Sequence, residues 1–153
     1  PVFHDDQHGT AIVTLAALIN AAKLAKKDMR ELKVVINGAG AAGSAITDML
    51  LSMNYIGQET ASVQEIIICD SKGTLHESRP DLAENSSKLR LARKTNRNNV
   101  AGNLADAMID ADVFIGVSVA NADCSSLMHF TTNIAFTSVP VTVGTPLGST
   151  RAP

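Results

Sequence analysis

The sequence predicts an α/β domain built on a doubly wound, mostly parallel sheet in three layers. Three short apolar runs, at 33–37, 65–69 and 112–117, have the length and near-continuous hydrophobicity of buried parallel strands. Segments with helical periodicity separate these runs, so each strand can return to the same sheet by a right-handed crossover. A glycine-rich turn follows the first run directly. Strands that alternate with helices in this way predict a sheet covered by helices on both faces.

Composition limits the class of protein. The chain has 153 residues, 45% of them apolar and 18% charged, which fits one globular domain rather than a disordered chain. Thirteen bases against fifteen acids give a net charge of −2, so we expect no nucleic-acid or membrane partner. The sequence has no uninterrupted apolar run of ~18 residues, the length that would predict a membrane span. Cys69 and Cys124 have no metal or redox spacing, which predicts buried packing roles and a reducing, cytoplasmic location.

The N-terminal segment carries two adjacent carboxylates, Asp5 and Asp6, flanked by His4 and His8. Neighbouring like charges repel unless a cation or a helix N-terminus compensates them. Both are available here, because a helix predicted from Thr10 to Lys26 follows. That helix is apolar on nearly all sides, and we expect it to be largely buried.

Three interpretations of the acid pair stay open from the residues alone. Mg²⁺ or Mn²⁺ prefers carboxylate oxygens, and an aspartate here would need partner ligands from elsewhere in the fold. An acid pair that caps the following helix explains the pattern equally well. A zinc site using His4 and His8 is weaker, because no second pair of ligands is visible.

The glycine-rich turn has the spacing G-x-G-x-x-G at Gly38, Gly40 and Gly43. The first glycine permits a tight turn, the second lets a pyrophosphate approach the backbone, and the third lets helix and strand pack closely. An anion there would meet the free N–H groups of the helix N-terminus. Glycines also occur at any tight junction of strand and helix, so the motif alone is weak. The predicted cofactor-binding positions are Gly38, Ala39, Gly40, Ala41, Ala42 and Gly43.

Asp70 ends the second apolar run, where a Rossmann-type βαβ unit needs an acid for the adenosine ribose. Its separation from the glycines exceeds the usual ~20 residues, which an extra loop over 54–64 explains. The alternative is a turn residue that ends the strand. A carboxylate here would repel a 2′-phosphate and favour NAD over NADP, although Lys72 leaves a phosphate contact open.

The second half of the domain continues the α/β pattern. Residues 71–79 are turn-rich and predict a surface loop, and a helix over 80–94 has too few apolar positions to be buried. The basic residues of 90–97 predict a solvated helix face and loop. Asn103 predicts the N-cap of a short helix that ends near Met108. The third strand ends near Ser118, which would lie near the nicotinamide or, equally, in an ordinary turn.

Four linked motifs closely resemble the bacterial malic enzymes, in order and over roughly residues 1–121. The resemblance implies that NAD, with NADP as an alternative, takes hydride from malate, and that Mg²⁺ or Mn²⁺ polarises the resulting ketone for loss of CO₂ to give pyruvate. It also implies that Asp6 is a metal ligand with Asp5 as its supporting neighbour, and that the full-length parent forms a homo-oligomer. The motifs are Pro1 to Ala11, Val35 to Gly43, Cys69 to Gly73 and Ala111 to Ser118.

We therefore expect a truncated NAD(P)-binding domain over 1–121 and a divergent tail over 122–153. Within the domain, 1–30 holds the metal motif and the buried helix, and 31–121 is the Rossmann core. The chain opens at Pro1 inside a dense motif, so we expect it to be a piece of a longer enzyme. The family's tyrosine acid, lysine base and Glu-Asp metal pair would lie upstream, which predicts no malate turnover by these residues alone. The competing hypotheses are a non-catalytic nucleotide-binding remnant and a different Rossmann dehydrogenase.

Overall fold

A computed structural model of the chain describes residues 4–52 and 63–118, together with the backbone of 134–137. Residues 54–62 of the loop predicted over 54–64, Cys124 and most of the predicted tail lie outside these residues. The described strands are β1 (Lys33–Asn37), β2 (Glu65–Asp70), β3 (Gly73–Thr74), β4 (Val113–Gly116) and β5 (Ile134–Thr137). The α-helices are α1 (Thr10–Ala25), α2 (Ala41–Leu51), α3 (Ser86–Lys94) and α4 (Leu104–Met108).

The strands form one sheet in the order β3-β2-β1-β4-β5, with β1 at its centre. β1 runs parallel to both β2 and β4, and β5 continues parallel beyond β4. The predicted parallel strands are therefore confirmed. β5 lies within the predicted divergent tail, and it extends the sheet by one more parallel strand.

Helices cover both faces of this sheet. Residues that alternate along the central strands separate into two buried clusters, as strand geometry requires. Val34 and Ile36 share one cluster with α1, α2 and α3, whereas Val35 packs on the other side with α4. This arrangement confirms the three-layer prediction. Cys69 is also buried, and burial raises the pKa of its thiol to about 12, so it is a packing residue as predicted.

α1 corrects the prediction of a largely buried helix. It packs against α2 and buries one stripe, formed by Ala11, Leu18 and Ala22. Ile12 and Leu24 are 53% and 86% exposed. A helix in an outer layer has only one face toward the core, so apolar residues all round did not imply burial all round. Residues 5–25 are long and apolar enough to cross a membrane by length and composition alone, a test that core helices also pass.

The helix predicted over 80–94 is interrupted. Pro80–Leu82 forms a single 3₁₀ turn, and α3 then starts afresh behind Asn85. The Asn85 side chain accepts a hydrogen bond from the Lys88 N–H at 3.0 Å, which caps the new helix. Leu91 is fully buried despite the sparse apolar pattern, because α3 packs on the same sheet face as α2.

The short helix predicted after Asn103 is confirmed as α4. The Asn103 side chain accepts hydrogen bonds from the backbone N–H groups of Ala105 and Asp106. The Asp106 carboxylate in turn accepts the Asn103 N–H at 2.7 Å. This reciprocal capping box explains how a five-residue helix keeps its place on the sheet.

Candidate cofactor-binding site

The first glycine of the turn lies against the end of β4. Gly38 has φ +129, a value that side chains rarely allow, and its N–H donates to the Cys69 carbonyl at 2.9 Å. A Cβ on Gly38 would stand 2.8 Å from the Val117 carbonyl carbon and 3.0 Å from the Ser118 nitrogen. The glycine therefore permits both the turn and a close approach of the segment that carries Ser118, whose side chain is exposed.

The third glycine holds α2 close to the turn. A Cβ on Gly43 would lie 1.9 Å from the Gly38 carbonyl oxygen and 3.6 Å from Cγ2 of Ile36. The carbonyl belongs to the backbone and cannot rotate away as a side chain could. Close packing of helix and strand, which the spacing predicted, is therefore built into this contact.

The second glycine faces open space. An ideal Cβ on Gly40 would meet no atom within 4 Å, and Gly40 is the extended N-cap residue of α2 with no capping side chain. No acid lies in the first turn of this helix. The leading N–H groups of an α-helix have no partners within the helix, so this open end offers donors to an anion. The geometry therefore fits a pyrophosphate.

Asp70 is almost completely enclosed. Its side chain is 6% exposed and receives two hydrogen bonds from Arg79, at 2.9 and 2.8 Å. Lys88 Nζ donates at 2.6 Å and the Lys72 N–H at 2.9 Å. Burial alone would raise the pKa of this carboxyl, but these hydrogen bonds hold it well below its usual range. Four donors fill the acceptor sites of a carboxylate, so a ribose hydroxyl would have to displace one of them.

Arg79 is the residue beside Asp70 whose burial and pairing the sequence analysis did not predict. Its side chain is 10% exposed, and besides Asp70 it donates to Asp81 at 2.7 Å and to the carbonyls of Gly73 and Thr74. It thus closes the β2–β3 hairpin, inside the stretch that the sequence had predicted to be surface loop. The only signal was its place before Pro80, which does not distinguish a buried arginine from an exposed one.

The acidic residues lie in a separate turn. Asp5–Gly9 form one π-helical turn that leads into α1 and contacts α2. The acidic turn therefore contacts the same helix that begins at the glycine turn. The N-cap residue of this turn is His4 and that of α1 is Gly9, and no side chain caps either one, which corrects the capping interpretation. Both acids do lie in the first turn, where the helix dipole favours negative charge.

The described residues offer limited metal ligation. Asp6 is exposed, and its carboxylate makes no hydrogen bond or ion pair within them, so an oxygen ligand is available to a hard cation. The His4 N–H donates to Nδ1 of His8 at 3.3 Å. Within 4–52 and 63–118, no group of three or more His, Cys, Asp or Glu residues could hold a metal ion, so the zinc interpretation gains no support.

The sheet order, the glycine turn and the open helix N-terminus together define a Rossmann-type domain of the dinucleotide-binding class. The family model for the NAD-binding domain of malic enzymes matches residues 7–131. The chain belongs to the malic enzyme family.

The malic enzymes that this chain is similar to include NAD-dependent and NADP-dependent ones. The bifunctional malic/malolactic enzyme of Bacillus subtilis is 54% identical over 122 residues, covering 80% of this chain and 28% of that protein. The NADP-dependent malic enzyme of Rhizobium meliloti is 42% identical over 122 residues, covering 80% and 15%. The crystal structure of the NAD-dependent malic enzyme of Thermotoga maritima has a TM-score of 0.70 at 45% identity, covering 79% and 30%. The chain spans less than a third of each of these relatives.

Proposed function

We propose that this chain is the NAD(P)-binding part of a malic enzyme that converts malate to pyruvate and CO₂. The observation that carries the proposal is the open space at Gly40, over the free N-terminus of the same helix that contacts the acidic turn. Contact of the acidic turn with α2 supports a proposal in which the same helix takes part in both the pyrophosphate site and the cation site. The alternative of another Rossmann dehydrogenase does not explain the acidic turn.

Within this proposal the residues have distinct tasks. The backbone from Gly38 to Gly43 holds the pyrophosphate, and Ser118 offers a hydroxyl on the nicotinamide side. Asp6 ligates Mg²⁺ or Mn²⁺, and Asp5 supports it from the same turn. When bound, the nicotinamide accepts hydride and the cation acts as a Lewis acid toward the ketone.

Asp70 bears on the choice between NAD and NADP. A free carboxylate would repel a 2′-phosphate, but here Asp70 and Asp81 are joined by three cations, Lys72, Arg79 and Lys88. Two negative and three positive charges leave the cluster at +1. We therefore propose that NADP is accepted beside NAD, and that the repulsion expected from Asp70 alone is offset.

The proposal has a direct binding test. NADH and NADPH are titrated by fluorescence into the chain, into Gly40→Val and into a control, Ala16→Val, on the exposed face of α1. Because Gly40 has room and an extended backbone, we expect its variant to melt within about 2 °C of the parent and to lose at least tenfold in NADH affinity. The control should keep the parent affinity. Equal NADH affinity in Gly40→Val and the parent would remove the pyrophosphate from this turn.

The isolated chain should turn over no malate. Acid and base groups typically contribute ~10²–10⁴-fold each, and the motifs that carry the family resemblance include neither the family's tyrosine acid nor its lysine base. Malate-dependent NADH formation by the purified chain, lost in Asp6→Ala, would show that this expectation is wrong. For the full-length parent we propose a homo-oligomer in the cytoplasm, without nucleic-acid or membrane partners. The net charge of −2 and the free, buried Cys69 support that setting.

A further inference from the structure

Gly9 ends the acidic turn at a position where the backbone does not need glycine. Its φ of −62 and ψ of −48 are those of an ordinary right-handed helix. Glycine is the poorest helix former apart from proline, so the helix would gain from almost any other residue here. A contact outside the backbone must therefore favour a residue without a side chain at this position.

The space beside Gly9 is taken by Asp5. An ideal Cβ on Gly9 would lie 2.2 Å from Oδ1 and 3.1 Å from Cγ of Asp5, and its three nearest atoms all belong to that carboxylate. The Asp5 side chain therefore folds back along the turn, into the volume that a side chain at Gly9 would fill. Asp6 has no such contact within the described residues. Adjacent helix positions also project in different directions, so the two carboxylates are kept apart.

We infer that Gly9 is a positioning residue that seats the Asp5 carboxylate against the turn and leaves Asp6 as the carboxylate available to a cation. The inference rests on the proposed function for the role of Asp6. A Cβ at Gly9 would lie 2.2 Å from Oδ1 of Asp5, so the Asp5 side chain would have to rotate to another staggered conformation. The freed carboxylate would then add its charge to that of Asp6 at an exposed site.

A thermal double-mutant cycle tests the contact itself. The four proteins are the full chain, Gly9→Ala, Asp5→Ala and the double variant, each melted by circular dichroism. In the parent background, we expect Gly9→Ala to raise the melting temperature less than it does in the Asp5→Ala background, because the Asp5 carboxylate must leave its place. In the Asp5→Ala background the same change should raise it by about 2–4 °C. Asn20→Ala on α1 is the matched control and should shift the temperature equally in both backgrounds. Equal shifts for Gly9→Ala would overturn the inference.

Two NMR measurements test the positioning role, which a purely structural glycine would not affect. Three-bond couplings report χ1 of Asp5, and we expect Gly9→Ala to move it to a different staggered well. Titration with Mn²⁺ alone broadens nearby amide signals, and the concentration that half-broadens Asp6 should fall at least threefold in Gly9→Ala. The double variant should match Asp5→Ala. An unchanged χ1 or an unchanged Mn²⁺ midpoint would refute the role. Neither result depends on NADH binding at Gly40, so failure here is distinct from failure of the proposed function.

Discussion

The glycine turn and the acidic turn both contact α2, yet they are built from different kinds of contact. In the glycine turn, backbone meets backbone: Gly43 against the Gly38 carbonyl, and Gly38 against Val117. In the acidic turn, the close neighbour of Gly9 is a side chain that can rotate. A site made of backbone groups is complete once the chain has folded, whereas a site made of exposed carboxylates needs further ligands. Under the proposed function, the pyrophosphate site would therefore be formed by the turn itself, whereas the cation site would need further ligands.

The largest effect expected from this comparison is on stability at Gly43. A Cβ there would stand 1.9 Å from a backbone oxygen, so Gly43→Ala must separate α2 from β1. We expect a loss of about 3–5 kcal/mol in the free energy of unfolding, measured by urea denaturation. Gly40→Ala is the control and should stay within about 0.5 kcal/mol, since nothing lies within 4 Å of the new atom. If Gly43→Ala and Gly40→Ala are equally stable, the backbone contact at Gly43 does not hold α2 in place. The contrast drawn with the acidic turn would then be wrong.

A second effect concerns the enclosed carboxylate of Asp70 at the end of β2. Asp70→Asn removes the negative charge that pairs with both Arg79 and Lys88. The Arg79 side chain is only 10% exposed, so water has little access to replace the lost partner. Breaking hydrogen bonds to a charged group of this kind should cost about 2–3 kcal/mol at pH 7. Asp6→Asn is the control, and we expect it to change the free energy of unfolding by less than about 0.5 kcal/mol. A loss at Asp70 no larger than that at Asp6 would contradict the enclosed geometry.

The parent and the Asp70→Asn variant should also differ in how their unfolding free energy depends on pH. The pKa of Asp70 is lowered in the folded chain, whereas the unfolded value is about 3.9. Its stabilisation is therefore complete above about pH 4 and is lost as the pH falls below that value. The difference in unfolding free energy between the parent and Asp70→Asn should shrink steadily in acid. A difference that stays constant below pH 4 would mean that Asp70 is not the titrating group.

Sequence reasoning succeeded where the information was local. The strands near 33–37 and 65–69 followed from continuous apolar runs, and the cap at Asn103 followed from residue type and position. It failed where distant contacts decide. Asn96, in a stretch predicted to be solvated, is 2% exposed and donates to the carbonyls of Leu75 and Val100. No residue pattern near Asn96 shows that it is buried beneath a hairpin that comes earlier in the chain.

The candidate site divides along the same line. The tight turn at Gly38 and the close packing at Gly43 could be predicted from the G-x-G-x-x-G spacing, whereas the pyrophosphate role of Gly40 stays a prediction. The enclosure of Asp70 could not, because it requires Arg79 and Lys88, which reach it from 9 and 18 residues further along the chain. The exposed face of α1 was missed for a related reason. Apolar composition shows which residues can be buried, whereas the packing partner decides which ones are.

The smallest effect concerns α2, the helix that both turns contact. Its Asp48 accepts hydrogen bonds from Arg90 at 2.7 Å and from Lys94 at 3.3 Å, which tie α2 to α3. Partial burial opposes ionisation, but the two cations outweigh it and lower the pKa of Asp48.

The carboxylate of Asp48 is still 40% exposed, so water and salt screen the pairs. Asp48→Asn should therefore cost only about 0.5 kcal/mol at low ionic strength, and less in 1 M salt, where the Debye length falls to about 3 Å. The Asp70→Asn loss should change far less with salt, because that pair is enclosed. Urea denaturation of both variants at two salt concentrations separates the cases, and equal salt sensitivity would show that the Asp70 cluster is as open to solvent as the surface of α2.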